Sequence, residues 1–230
     1  FGVKSTHFDP AVVRERLEAK SYLHKGLKII FTDESTGKTE TLFHAEGISE
    51  YLGKLVQVRG KPTVHPGIFY LERNSSVNDE PKLEVACAWT EASDDAMFSF
   101  VNGVPTGDGG THEQGFRAAL AKAIRNYMTA HKLEPKGVTI AMEDIREGMV
   151  AILSTYVLEP QFQSQTKNRL NNPEVASQVE GVIRPALEQW LHSNRSTAES
   201  IVARVIISAR ARAASRAASQ QVSRKGPGGI

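Results

Sequence analysis

Cysteine is almost absent from this sequence, and its absence excludes two kinds of site. The 230 residues include one cysteine, Cys87, so neither a disulfide framework nor a cysteine-based zinc site is available, and Cys87 itself is expected to be a small core residue. Long apolar runs are missing as well, since none approaches the roughly 20 residues that a membrane-spanning helix requires. No signal peptide is visible at the amino terminus. The single cysteine is compatible with a reducing compartment.

A strong net charge is also missing, although the charge is unevenly distributed. The chain has 28 lysines and arginines against 26 acidic residues, a formal net charge of +2, which is too weak to indicate a nucleic-acid partner. Between residues 195 and 225, however, the only acidic residue is Glu199. The basic residues of that stretch are Arg195, Arg204, Arg210, Arg212, Arg216, Arg224 and Lys225. The carboxyl-terminal end is therefore strongly cationic and the remainder slightly acidic.

The first hundred residues of the chain predict a mixed sheet with two helices. With 40% hydrophobic and 23% charged residues, the composition is typical of a globular domain with a real core. Asp9 and Pro10 are a good helix start, an N-cap acceptor followed by proline, and a short helix is expected at residues 47–52. Residues 83–90 alternate in a pattern that predicts a half-buried strand. The other predicted strands are residues 27–32 and 40–44, which form a hairpin, and residues 68–71 and 97–101.

The carboxyl-terminal half predicts long helices around one apolar strand. A glycine-rich loop at residues 102–110 leads into a helix that runs to about residue 131, with Thr111 and Gln114 at capping-box spacing. Residues 149–157 are apolar enough for a central strand. The remaining predictions are a helical turn at 144–147, a polar loop at 161–171, and helices at 173–192 and 196–224, the last with Ser196 and Glu199 as its capping box and residues 226–229 as its end. These elements predict an α/β fold, which is α+β when classified by its layers. Helices pack on a mixed sheet, and a long basic helix follows.

Two segments resemble phosphate-binding loops but lack essential residues. Residues 107–110 precede a helix, where backbone N–H groups favour anions, but no Gly-Lys-Ser/Thr follows, so a strand-to-helix connection is the favoured interpretation. Residues 37–39 read Gly-Lys-Thr, yet Thr32 stands where a P-loop requires glycine, which indicates a hairpin turn. The histidines show no ligand spacing, so we expect them to be structural and expect no metal site.

Four segments, taken in order, resemble one family. They are residues 109–117 (GGTHEQGFR), 143–148 (EDIREG), 160–167 (PQFQSQTK) and the basic stretch 209–225. Their order and spacing resemble the transducer domain of the ATPase subunit of bacterial type IIA DNA topoisomerases, the B-type subunits of DNA gyrase and topoisomerase IV. The resemblance covers nearly the whole chain and implies a ribosomal-protein-S5-domain-2-like fold. It also implies two parts, a transducer core at residues 1–194 and, at residues 195–230, a long basic helix and tail leading toward the DNA-cleavage module.

The resemblance assigns a catalytic role to the polar loop. In the family, the lysine at the position of Lys167 reaches the γ-phosphate of ATP held by the neighbouring module, and the glutamine at the position of Gln165 helps to position that lysine or the attacking water. A fixed cation there would stabilise the charge that spreads over the transferring phosphoryl group. Without the resemblance, the same residues indicate only a polar loop with a solvated lysine.

The resemblance also places arginines next to DNA. Arg117 matches the arginine of the family's Gly-Phe-Arg segment, which faces a cavity that a DNA segment can pass, although a surface ion pair is an equal alternative. The predicted DNA contacts on the basic helix are Arg204, Arg210, Arg212 and Arg216. That helix is open to two interpretations, a strip that tracks phosphates or a solvated face. No aromatic residue lies among these arginines, so base stacking is not expected.

Partners and cofactors follow from the resemblance alone. The intact subunit would bind ATP and Mg²⁺, mainly through an ATPase module that precedes this segment, and the fragment itself is expected to bind no cofactor and to be inactive. The implied partners are that ATPase module, the DNA-cleavage module, the A-type topoisomerase subunit and duplex DNA, in a cytoplasmic homodimer whose isolated fragment is monomeric. The alternatives are the second domain of a mismatch-repair-type ATPase and a non-enzymatic binding module. The sequence does not distinguish gyrase from topoisomerase IV.

Overall fold

The computed structural model describes residues 9–74 and 81–224. Its helices are α1 (Pro10–Leu23), α2 (Ile48–Arg59), α3 (Thr111–Ala130), α4 (Met142–Arg146), α5 (Pro173–Ser193) and α6 (Arg195–Arg224). Its strands are β1 (Ile29–Asp33), β2 (Lys38–Leu42), β3 (Phe69–Arg73), β4 (Lys82–Trp89), β5 (Ala96–Val101), β6 (Val104–Pro105) and β7 (Met149–Tyr156). Among these residues, no helix is long and apolar enough to cross a membrane. The helix end predicted at residues 226–229 lies outside the described residues, as does Lys225.

The strands form two separate sheets. β1 and β2 are an antiparallel hairpin that makes a sheet of its own, while the larger sheet has the order β3-β4-β7-β5-β6. β7 lies in the centre of that order, as predicted, and it pairs antiparallel with β4 and parallel with β5. The prediction of a mixed sheet packed by helices is therefore confirmed. The prediction that the first hundred residues already form this sheet is wrong, because β4 and β5 are joined through β7, which comes much later in the chain.

β4 is buried on both faces, so the prediction of a half-buried strand is wrong. One face places Val85 and Trp89 in the core cluster that includes α3 and α5. The other face places Ala86 and Ala88 in a second apolar cluster, together with Leu52 of α2. Helix α2 covers this face with Ile48 and Leu52, its two buried side chains, and it continues to Arg59, beyond the short helix predicted at residues 47–52. The alanine side chains of β4 are small, so the side chains of α2 fill the space on this face of the sheet.

Helices α3 and α5 pack directly against each other on the first face of the sheet. α5 buries a side chain at nearly every fourth position, as an amphipathic helix does; these residues are Val175, Val179, Ile183, Leu187 and Leu191. The two helices approach closely at Gly115, where an added Cβ atom would lie 2.3 Å from the backbone oxygen of Ala176. The first half of α6 contributes Ile201 and Val205 to the same core. The division predicted between residues 194 and 195 stays a prediction.

The helix starts agree only partly with the predicted caps. Asp9 does cap α1, accepting a 2.9 Å hydrogen bond from the Ala11 N–H. The predicted cap of α3 is wrong, because Gly110 is its N-cap and Thr111 is already helical. The predicted cap of α6 is wrong as well, since α6 begins at Arg195, with one residue between it and the end of α5 at Ser193, and Ser196 lies inside the helix.

The contact at Gly115 leads to a stability prediction. We expect Gly115→Ala to lower the free energy of unfolding by about 1–3 kcal/mol, because the methyl group meets the backbone of α5 in a packed interface. Gly181→Ala is the matched control on a helix, with no atom within 4 Å of its added Cβ. That variant should gain about 0.5–1 kcal/mol from helix propensity. Urea unfolding at equal m-values measures both, and equal stability of the two variants would contradict the close helix packing.

Candidate functional site

The polar loop at residues 161–171 carries Lys167 and lies between β7 and α5. We call this loop the lysine arm. Its two sides pair through an antiparallel bridge between Phe162 and Leu170. The Gln163 N–H donates to the Arg169 carbonyl at 3.0 Å, and the Asn171 N–H donates to the Gln161 carbonyl at 2.8 Å. Backbone hydrogen bonds therefore fix the arm, although its sequence is polar and irregular as predicted.

The tip of this arm presents Gln165 and Lys167 to solvent. Both side chains are exposed. The Lys167 N–H donates to the Ser164 carbonyl at 3.1 Å, and the Lys167 backbone is left-handed, with φ of 59°. The ammonium lies 5.9 Å from the centre of the Phe162 ring, at the outer limit of a cation–π contact. Lys167 forms no ion pair within the described residues, so its charge is available to a ligand.

The base of the arm is joined to the glycine-rich loop before α3. The Leu170 N–H donates to the Gly109 carbonyl, and the Leu170 carbonyl accepts from the Thr111 N–H, each at 3.1 Å. The Asp108 N–H also donates to the Asn168 carbonyl at 2.9 Å. At Gly110, with φ of 140°, a Cβ atom would lie 2.4 Å from the Leu170 oxygen. The loop thus connects β6 to α3, and its glycines permit contact with the lysine arm.

Arg117 lies near the start of α3 and combines an ion pair with an exposed side. Its Nη2 atom is 2.9 Å from Oε2 of Glu113, and 40% of its side chain is exposed. Glu113 is buried and its other carboxylate oxygen accepts a 2.7 Å hydrogen bond from Ser99. Arg117 and Arg169 of the lysine arm line one cavity of about 320 Å³, together with Asp95. Arg117 therefore has both an ion pair and an exposed side. The structure is compatible with both of its predicted roles, the surface ion pair and the contact with DNA.

A buried histidine supports this region. His112 is fully buried next to Glu113, and its Nε2 atom lies 3.0 Å from Oγ1 of Thr106. Burial lowers the pKa of His112 to about 4, so the ring is neutral at physiological pH. Thr106 in turn contacts Ser99 at 2.7 Å. This polar network holds the carboxylate that pairs with Arg117.

The predicted DNA-contacting arginines of α6 fall into two groups. Arg204 and Arg212 turn toward the core, where Arg204 pairs with Glu147 at 2.8 Å and Arg212 pairs with Asp144 at 2.8 Å. The other two, Arg210 and Arg216, are exposed and have no ion-pair partner among the described residues. DNA contact by these four arginines stays a prediction, and within the described part of the chain only Arg210 and Arg216 combine exposure with a charge that no ion pair uses.

The acidic partners belong to the segment EDIREG, to which sequence reasoning gave no role. Asp144 and Glu147 flank the end of α4, and Gly148 follows with a positive φ of 77°, where a Cβ atom would lie 2.2 Å from the Thr90 oxygen. The sequence signal that could have indicated these ion pairs is a short acidic segment and a basic helix in the same chain. Within the described residues, no group of three or more His, Cys, Asp or Glu side chains could hold a metal ion.

Comparisons with known proteins agree on one family. Residues 47–221 match the family model for DNA gyrase B. The DNA gyrase B protein of Archaeoglobus fulgidus is 37% identical over 215 residues, which cover 93% of this chain and 32% of that protein. The corresponding protein of Thermotoga maritima is 33% identical over 225 residues, covering 96% of this chain and 35% of that protein. This chain therefore spans about a third of the length of these curated relatives.

Solved structures agree with the sequence comparisons. The 43K ATPase domain of Thermus thermophilus gyrase B, in complex with an aminocoumarin, superimposes with a TM-score of 0.81 at 29% identity, covering 96% of this chain and 58% of that one. The topoisomerase IV ATP-binding domain of Francisella tularensis gives a TM-score of 0.76 at 26% identity, covering 90% and 55%. Because the family model spans most of the chain and the relatives align along nearly all of it, this chain belongs to the DNA gyrase B family.

Proposed function

We propose that this chain is the transducer segment of a B-type subunit of an ATP-dependent type II DNA topoisomerase, and that it relays ATP binding and hydrolysis to movement of the DNA gate. The observation that carries the proposal is the arm that holds Lys167 at its tip, without an ion pair among the residues that the structure describes, while its base is bonded to the start of α3. A cation at the tip of a loop whose base is hydrogen-bonded to α3 is suited to binding a phosphate and to moving α3 when it does so.

Lys167 would contact the γ-phosphate of ATP held by the preceding ATPase module. Phosphoryl transfer spreads negative charge over the transferred group, and a preorganised cation lowers that barrier. An ammonium suits the task as a compact charge with rotatable donors. Gln165, two residues away on the exposed tip, would orient Lys167 or the attacking water. In this proposal, ATP and Mg²⁺ would be bound mainly by the ATPase module, as the resemblance implies.

The relay would run from the arm into the helices. Leu170 bonds to Gly109 and Thr111, so a displacement of the arm acts directly on the start of α3. α3 packs on α5, and α5 is followed by α6 after a single residue. At the DNA side, Arg117, Arg210 and Arg216 offer exposed positive charge that suits phosphates without sequence preference.

The rest of the assembly follows from the same proposal. The partners would be the ATPase module before this segment, the DNA-cleavage module after it, the A-type subunit and duplex DNA, in a cytoplasmic homodimer. Residues 1–194 would act as the transducer core, and residues 195–230 as the helix and tail that lead to the cleavage module.

The role of Lys167 predicts a selective catalytic defect. In the intact subunit, Lys167→Ala should lower ATP turnover at saturation by about 10²–10³, the usual effect of removing one preorganised charge stabiliser, with little change in nucleotide affinity. Lys132→Ala is the matched control, an exposed lysine that also has a positive φ, of 54°. Turnover and ATP affinity are measured separately. If ATP binding fails while the saturated rate survives, Lys167 is a ground-state ligand and the mechanism is wrong.

The role of Arg117 predicts a loss of coupling to DNA. Arg117→Gln in the intact subunit should leave basal ATP turnover within a few-fold and abolish its stimulation by duplex DNA, because the exposed charge contacts phosphate. Arg184→Gln is the matched control, since Arg184 is 41% exposed and also faces a glutamate one turn earlier on its helix. Turnover is measured with and without DNA over a range of salt. Full stimulation of Arg117→Gln at every salt concentration would limit Arg117 to its ion pair.

A further inference from the structure

Arg212 holds α6 to the core through a two-pronged contact with a buried carboxylate. Its Nε atom lies 2.8 Å from Oδ1 of Asp144, and its Nη2 atom lies 2.8 Å from Oδ2. The same Nη2 atom donates to the Thr139 carbonyl at 2.7 Å. Asp144 is 1% exposed and also accepts the Ala141 N–H at 2.7 Å. A buried carboxylate needs such partners, and the planar guanidinium fork supplies them in a way that a lysine does not.

The charge state of Asp144 agrees with this geometry. Burial alone would raise the pKa of Asp144, but the hydrogen bonds from Arg212 and from the Ala141 N–H outweigh it and hold that pKa below its usual value. The carboxylate is therefore ionised at neutral pH, and the contact is a true ion pair.

A second contact lies two turns earlier on the same face of α6. Arg204 donates to Oε1 of Glu147 at 2.8 Å and to the Ala92 carbonyl at 2.6 Å. The buried Ser208 donates to the other oxygen of Glu147. Arg204, Ser208 and Arg212 are spaced four residues apart, which aligns them along one helix face. We call these three residues, with Asp144 and Glu147, the α4–α6 clamp.

The clamp joins α6 to the ends of two neighbouring strands. Glu147 and Gly148 immediately precede β7, and Ala92 follows shortly after β4. The Gly148 carbonyl accepts the N–H and the hydroxyl of Thr90, both at 2.8 Å. Beyond the clamp the side chains at positions 214–221 are exposed, and the helix continues for about 18 Å at 1.5 Å per residue. The clamp therefore sets the direction in which the exposed part of α6 extends.

We propose that Arg212 and Arg204 are positioning residues, which fix α6 to the sheet through Asp144 and Glu147 so that the helix moves with the core, and that they do not contact DNA. The part of this proposal that concerns coupling rests on the proposed function. Nε and Nη2 of Arg212 and Nη2 of Arg204 already donate to acceptors inside the chain. The two side chains are only 21% and 18% exposed. Arg210, two residues before Arg212 on the same helix, is exposed and unpaired in the described residues, so the DNA-facing role belongs to it and to Arg216.

The test compares Arg212, substituted by lysine and by glutamine, with Arg210, substituted by glutamine, in the intact subunit. Arg212→Lys keeps the charge and loses the fork, so amide hydrogen exchange across residues 142–148 should rise by about tenfold or more as the buried pair loosens. DNA stimulation of ATP turnover should fall. The salt slope, which is the change in the logarithm of the affinity for duplex DNA with the logarithm of the salt concentration, should stay the same. Arg184→Lys, at a 41% exposed arginine of α5 outside the clamp and the DNA-facing positions, is the control and should change none of these. Arg210→Gln should reduce the salt slope by about 0.9 for each phosphate that is no longer neutralised, and Arg212→Gln should leave it intact.

Several outcomes would overturn the proposal. A salt slope that drops in Arg212→Gln as it does in Arg210→Gln, with exchange unchanged, would make Arg212 a DNA contact. Faster exchange with full DNA stimulation would show that the clamp does not position α6 for coupling. If Arg212→Gln does not fold, Ser208→Ala, which removes one hydrogen bond to Glu147, should give the same pattern to a smaller degree. The proposed function is tested apart from this, since Lys167→Ala alters nucleotide turnover without touching exchange or the salt slope.

Discussion

The pairing of β7 between β4 and β5 is the constraint on which the rest of the structure depends. These two neighbours do not pair with each other, so the five-stranded sheet exists only when this late strand is inserted. β7 is eight residues long, or about 26 Å at the rise of a strand. The acidic residues that hold α6 come just before it, and the arm with Lys167 follows it. One buried strand therefore separates the acidic residues that hold α6 from the arm with Lys167 by a fixed distance.

Packing converts this strand into a rigid connection. β7 is buried along nearly its whole length, with Val150 and Ile152 on one face and Ala151 and Leu153 on the other. Close-packed interiors transmit displacement and do not absorb it. The bonds of Leu170 to the glycine-rich loop make a second connection, into α3. A movement of the lysine arm can thus be passed on through the sheet and through the helices.

Local patterns predicted the elements better than the connections between them. The central strand, the polar loop and the long helices were predicted, because apolar runs, proline starts and glycine breaks are local signals. The separate hairpin sheet, the second buried face of β4 and the two helix caps were not, since each depends on a distant partner. Thr111 illustrates this, because its N–H bonds to Leu170 and a residue so far along the chain leaves no mark on the capping pattern.

The site was predicted in the same uneven way. Resemblance alone gave Lys167 and Arg117 their roles, which stay predictions, whereas residue chemistry favoured a solvated lysine and left the role of Arg117 open. Neither source anticipated that Arg204 and Arg212 are occupied by Glu147 and Asp144. Charge counting along a helix treats its arginines as equal, and only the fold distinguishes those that face the core from those that face solvent.

The left-handed backbone of Lys167 restricts how this position can evolve. A residue with a side chain costs roughly 1–2 kcal/mol in that conformation relative to glycine, and β-branched residues are almost excluded from it. Lys132 shares the conformation, but it lies where α3 ends, a place where chains turn left-handed routinely. At the loop tip no helix end requires it, and glycine would be the cheaper choice for folding alone. Glycine is therefore the residue that this position is expected to acquire wherever nothing selects for a side chain there.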